Sequence, residues 1–129
     1  MSKEATDLWR RALKTLKSAE LLIGSDPDSA ASRAYYAAFH SVSALFIVDG
    51  KSFTKHSAVL SAVHQFLVNT NRWPLQLGAD FSSLQTLRQI GDYGGHAHVS
   101  VKDAEQAVDA ASRIIKAVSA EKPEFFPLK

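Results

Sequence analysis

The sequence predicts an all-α protein, an antiparallel up-and-down helical bundle of four main helices plus a shorter one. Three observations carry this expectation. Apolar residues recur at three- and four-residue steps along most of the chain, and caps and glycines punctuate those runs at short intervals. Nothing alternates with the period of two that a half-buried strand needs, apart from short ambiguous runs such as Leu45 to Val48.

The first helix carries Ala5, Leu8, Trp9, Ala12, Leu13, Leu16, Ala19 and Ile23 on one face, and Gly24 ends it. Asp26-Pro27 supplies an N-cap and a first-turn proline for the second, whose stripe runs Ala31, Ala34, Tyr35, Ala38, Phe39, Val42, Leu45 and Phe46 until Asp49-Gly50. A third helix is expected to start around Thr54 to His56 and to bury Val59, Leu60, Val63, Phe66 and Leu67, with Asn69-Thr70-Asn71 and Trp73-Pro74 breaking it. The fourth reads as the shorter helix, from Asp80 to about Tyr93, terminated by Gly94-Gly95. Ser100-Val-Lys-Asp103 resembles a capping box with aspartate in the glutamate position, and Ala104, Ala107, Val108, Ala111, Ile114, Ile115 and Val118 line the fifth helix. The many alanines predict close helix approach. The tail KPEFFPLK should be extended, either loose or with Phe125 and Phe126 tucked against the bundle or a partner.

A chain of 129 residues is expected to form one domain, residues 1–129, with a core that needs no staple. It has no cysteine, which excludes disulfides, a thiol nucleophile and thiolate metal sites. The amino terminus lacks the unbroken apolar run of a signal peptide or membrane span, so no membrane association and a cytoplasmic location are expected. The net charge of +2 permits an anionic partner without demanding one; Arg10, Arg11, Lys14 and Lys17 gather on the first helix.

Two segments hold polar residues that a core does not explain. On the second helix Arg33, Tyr36, His40 and Ser43 follow one another at steps of three, four and three, beside the apolar stripe. Such residues can simply be half-buried and hydrogen-bonded, with Arg33 reaching water, or they can line a polar groove in which Arg33 and His40 bind phosphate and move protons. The stretch LRQIGDYGGHAHVS, from Leu87 to Ser100, adds Arg88, Asp92, Tyr93, His96 and His98. Arg88 and Asp92, four apart, can form a surface ion pair worth only about 0.3 kcal/mol. His96 and His98 with one carboxylate make too few ligands for a metal, and no metal or other cofactor is expected. The alternative to a solvated loop is a site for a phosphodiester, held by an arginine and a histidine that titrates near neutrality.

Taken together, SRAYYAAFHSVSALF and LRQIGDYGGHAHVSVKDAEQAVDAASRII resemble the HEPN-domain proteins of the small stand-alone prokaryotic type. The resemblance spans nearly the whole chain, including Thr54-Lys55-His56 before the third helix. It implies an antiparallel bundle that dimerises, and a gene often placed beside a minimal nucleotidyltransferase as the toxin half of a toxin–antitoxin pair. The active branch of that family cleaves RNA without metal, using an arginine and a histidine just before the last helix. Here Arg88 is followed by His96 after seven residues and by His98 after nine, a wider separation than in that branch.

Two functions are therefore expected as alternatives. One is a binding module that engages RNA, a nucleotide or a nucleotidyltransferase partner through a groove of Arg33, Tyr36, His40, Asp92, Tyr93 and His98, with Trp9 and the basic residues of the first helix adding contact area. The other is a metal-independent ribonuclease toxin in which Arg88 holds phosphate and His96 moves the proton. A purely structural domain would use none of these groups. A homodimer is expected because Trp73, Phe125 and Phe126 suggest apolar surface beyond one core.

Overall fold

The computed structural model describes residues 2–53 and 55–129, and among these residues every regular element is helical. Helix α1 spans Lys3–Leu22, α2 Pro27–Val48, α3 His56–Ala62, α4 Leu75–Tyr93 and α5 Val101–Glu121. The chain is an all-α, up-and-down bundle.

Local chemistry sets most boundaries. Ser2 caps α1 by accepting from Ala5 N, Asp26 caps α2 by accepting from Ser29 N with Pro27 behind it, and Ser100 caps α5 by accepting from Asp103 N. The expected start of the third helix falls partly on Thr54, which lies outside the described residues; the helix begins at His56.

Two boundaries differ from the sequence reading. Helix α4 begins at Leu75, directly after Pro74, five residues before Asp80, so Pro74 acts as a helix start as well as a break. The shorter helix is therefore the third. It runs on from Ala62 into a π-helical stretch, Val63–Val68, closed by Asn69 N donating to His64 O at 2.8 Å. This stretch sets the His64 imidazole against α4, within 3.3 Å of the Ser82 hydroxyl and in contact distance of Gly78.

Helix α2 is the centre of the bundle, packed against α1, α4 and α5. It buries Ala30, Ala31, Ala34, Ala37, Ala38 and Ala44 as well as Tyr35, Leu45 and Phe46, so its apolar surface extends past the single stripe expected. Small side chains allow neighbouring axes close together, and the large rings fill the gaps between them. Helices α2 and α4 are antiparallel: Tyr36 meets Arg88, Ser32 meets Asp92 and Asp28 meets Gly91. The last of these is a backbone contact, in which a Cβ on Gly91 would stand 2.7 Å from Asp28 O. Only glycine lets the two helices cross there.

Helix α5 is bound to α4 by a buried carboxylate. Asp80 accepts two bonds from Arg113, at 2.8 and 3.0 Å, and one from Gln76 at 2.8 Å. Beyond it, at the same end of the bundle, Arg72 reaches both Asp49 and Glu121 and joins the ends of α2 and α5.

The tail does not lie extended and free. It makes a turn, Phe126 is fully buried against Trp9 with ring centroids 5.1 Å apart, and Trp9 Nε1 donates to Pro127 O at 2.7 Å. Trp73 is buried too. These aromatics complete the chain's own core, so they supply no apolar surplus for a dimer. Trp9, buried at the same place, offers no contact area to a ligand.

Candidate functional site

The antiparallel pairing of α2 and α4, with the start of α3 set against α2, gathers one set of polar and aromatic side chains. Arg88 is at its centre. Its Nη2 donates to the Tyr36 hydroxyl at 2.9 Å, and its guanidinium carbon lies 5.3 Å from the ring centroids of both Tyr35 and Tyr36 and 5.8 Å from that of Tyr93. Asp92 Oδ2 stands 3.3 Å from Arg88 Nε and also accepts from Ser32 at 3.3 Å. The Nε contact is an ion pair without hydrogen-bond geometry, so this buried nitrogen has no hydrogen-bond partner. With its side chain only 13% exposed, Arg88 is no ordinary surface cation.

The histidines of the cluster come from α2 and α3. His40 stacks on Tyr36 at 6.2 Å, and its buried Nδ1 lacks a partner. Burial, together with the charges of Arg11 and His56, pushes its imidazole down to about 4. His56, half-buried at the first position of α3, lies 4.4 Å from Phe39, 5.7 Å from Tyr36 and 6.0 Å from Tyr35 between ring centroids. Burial and then the charge of Arg88 lower its pKa from the ordinary histidine value. Burial also raises the Tyr35 phenol. At neutral pH the cluster thus presents one fixed cation, uncharged imidazoles and aromatic walls.

Of the residues singled out in the sequence, Tyr36, His40, Arg88, Asp92 and Tyr93 are brought together here. Three are not. Arg33 is exposed and borders a shallow depression with Ser18, Leu21 and Leu22 of α1. His98 is tied elsewhere: its Nδ1 is 2.8 Å from Asp28 Oδ2, while Asp28 Oδ1 accepts from Val99 N at 2.7 Å. These bonds, that of Val99 first, hold the Asp28 carboxyl below the usual carboxylate range. His96 is exposed on the turn after Gly95, whose φ of +61° suits glycine, and no hydrogen bond or ring contact of the cluster reaches it. Among the described residues no hydrogen bond or ring contact joins Arg88 to His96. The cluster histidine that is not among the expected site residues is His56, which enters the sequence analysis only through Thr54-Lys55-His56 before the third helix. Its signal was present in Lys55-His56 beside an aromatic-rich helix, but the distance in sequence hid it.

A cleft of about 190 Å³ borders Phe39, lined by Leu8, Phe46, Ile47, Phe53 and Val59 and by the polar Glu4, Ser43, Lys51 and Ser52. It shares only Phe39 with the cluster.

Comparison with known proteins decides the family. The model of the HEPN domain matches residues 5–122. The chain belongs to the HEPN family. This HEPN protein is 38% identical over 119 residues to a UPF0332 protein of Thermotoga maritima, covering 85% of this chain and 90% of that one. It is 31% identical over 104 residues to a protein of Methanocaldococcus jannaschii described as a candidate toxin, covering 80% of this chain and 71% of that one. The crystal structure of TT1696 from Thermus thermophilus superposes with a TM-score of 0.79 over 93% of this chain and 99% of that one, at 22% identity, and so shares the fold. No described helix is long and apolar enough to cross a membrane.

Proposed function

We propose that this HEPN protein binds RNA or a nucleotide phosphate through the groove around Arg88, as the toxin-type partner of a minimal nucleotidyltransferase. The setting of the Arg88 guanidinium carries the reading. It is enclosed by Tyr35, Tyr36 and Tyr93, makes its hydrogen bond to Tyr36, and keeps a buried Nε without a partner. A charged, planar donor held in place at an aromatic wall suits a phosphate, which accepts forked hydrogen bonds, while the exposed Tyr93 offers a face on which a base can stack. The candidate toxin among the relatives supports the biological half of the proposal. A cytoplasmic site of action goes with such ligands.

We further propose a homodimer, supported by the exposed apolar side chains of Tyr93 and Val101 rather than by the buried aromatics. Sedimentation at micromolar concentration should give twice the monomer mass.

Cleavage of RNA through Arg88 and His96 has less support, because general acid–base work needs a histidine at a fixed position within reach of the substrate. Little or no cleavage by the purified protein is expected. Single-stranded RNA should bind, and Arg88→Ala should weaken that binding roughly tenfold to a hundredfold, the loss of a charged contact of about 1.5–3 kcal/mol. Equal affinity in the variant would remove the groove as the site. Chelator-resistant RNA cleavage abolished by His96→Ala would restore the ribonuclease reading.

A further inference from the structure

We propose that His56 is the ligand-facing partner of Arg88, so that an anion seated on the guanidinium also engages the His56 imidazole, which takes up a proton from solvent as the anion binds. This rests on the reading of the groove as an anion site and assigns it a second contact residue and a pH response. Arg88 and His56 come from different helices and flank the same pair of rings, Tyr35 and Tyr36. The imidazole is positioned by packing, closest to Phe39 at 4.4 Å, and among the described residues its nitrogens enter no hydrogen bond within the chain. They are therefore available to an incoming acceptor.

The groups facing His56 define what a ligand changes. From α2 come Tyr35, Tyr36, Phe39 and His40; from α4 comes Arg88, with Asp92 and Tyr93 beside it; Arg11 of α1 acts on His40, and Lys55 precedes His56 on its own segment. In the free protein the nearby cation and partial burial both favour the uncharged ring. A bound phosphate reverses the sign of the local field and offers the protonated ring a charge-assisted hydrogen bond. His40 is held neutral to about 4, so it does not titrate in the same window. The only bond change is a proton transfer: one O–H of a hydronium ion breaks, one N–H forms on the imidazole, and water is released.

The test is the affinity of a labelled single-stranded uridine oligonucleotide, read by fluorescence anisotropy at constant ionic strength from about pH 8 to about pH 5. With hydroxyl termini and a pH-insensitive fluorophore, the probe has no group that titrates there. For the wild type, affinity should rise as pH falls, by up to about tenfold per pH unit where the complex holds the proton and the free protein does not. His56→Gln and His56→Phe, the second of which keeps a ring against Phe39, should each lose that rise and leave a flat pH profile. Wild-type binding that is flat with pH, or a rise that survives in both variants, would overturn the proposal. Arg88→Ala separates the two claims: unchanged binding near pH 8, where His56 is uncharged, defeats the groove reading itself. Failure of the wild type to bind the probe at any pH defeats both.

Discussion

Asp92 Oδ2 sits 3.3 Å from Arg88 Nε, and this contact keeps a carboxylate at the edge of the proposed anion site. The pair is an i,i+4 couple with arginine first, the weaker orientation, and its geometry is not that of a hydrogen bond. A phosphate approaching the guanidinium has to displace or tolerate that negative charge.

Asp92→Asn should therefore tighten binding of the uridine oligonucleotide by roughly threefold to tenfold at low salt, with the gain shrinking as ionic strength rises. Stability should change little, since the pair is an arginine-first i,i+4 contact without hydrogen-bond geometry, a class worth only about 0.2–0.5 kcal/mol. Weaker binding in the variant would mean that Asp92 orients Arg88 for the ligand rather than competing with it.

Asp28 gives a prediction about acid stability. Its carboxylate accepts from Val99 N and meets His98 Nδ1, and both bonds lower its pKa in the folded state, that of Val99 most. A folded value below the unfolded one means stability that is fully present above the unfolded pKa and is lost as pH falls through the folded value. The advantage of the wild type over Asp28→Asn should be complete above about pH 4 and should close on further acidification. Urea unfolding at a series of pH values reads this directly, and a gap that widens in acid would contradict it.

Phe126 makes the carboxyl-terminal tail part of the core. Its ring is fully buried on Trp9, which also donates to Pro127 O. Phe126→Ala should destabilise the fold by about 3–5 kcal/mol and shift tryptophan emission to longer wavelength as Trp9 gains solvent. Unchanged thermal unfolding would mean that the tail docks without supporting the bundle.

Much of the fold can be read from local pattern, since periodicity and capping depend on neighbours a few residues apart. The caps at Asp26-Pro27 and Ser100 and the terminators Gly50 and Gly94 sit where those rules put them. The π-helical stretch Val63–Val68 has no such cue, because it is stabilised by how His64 meets Gly78 and Ser82 on another helix. The early start of α4 escaped for a related reason: Trp73-Pro74 reads as a stop, and only the burial of Trp73 and Leu77 shows that the helix has already begun.

The sequence by itself determined the helical class, the residues of the core stripes and the identity of Arg88, Tyr36, His40 and Asp92 as polar groups in search of a role. Tertiary structure decided which of them meet. The antiparallel crossing at Gly91 and Asp28 sets the register of α4 on α2, and that register delivers Arg88 to Tyr36 and Tyr35. The same crossing diverts His98 to Asp28 and leaves His96 on an exposed turn, while α3 brings in His56 from a distant part of the chain. Spacing along a chain measures proximity within one helix; contact between helices depends on packing, which no interval between residues encodes.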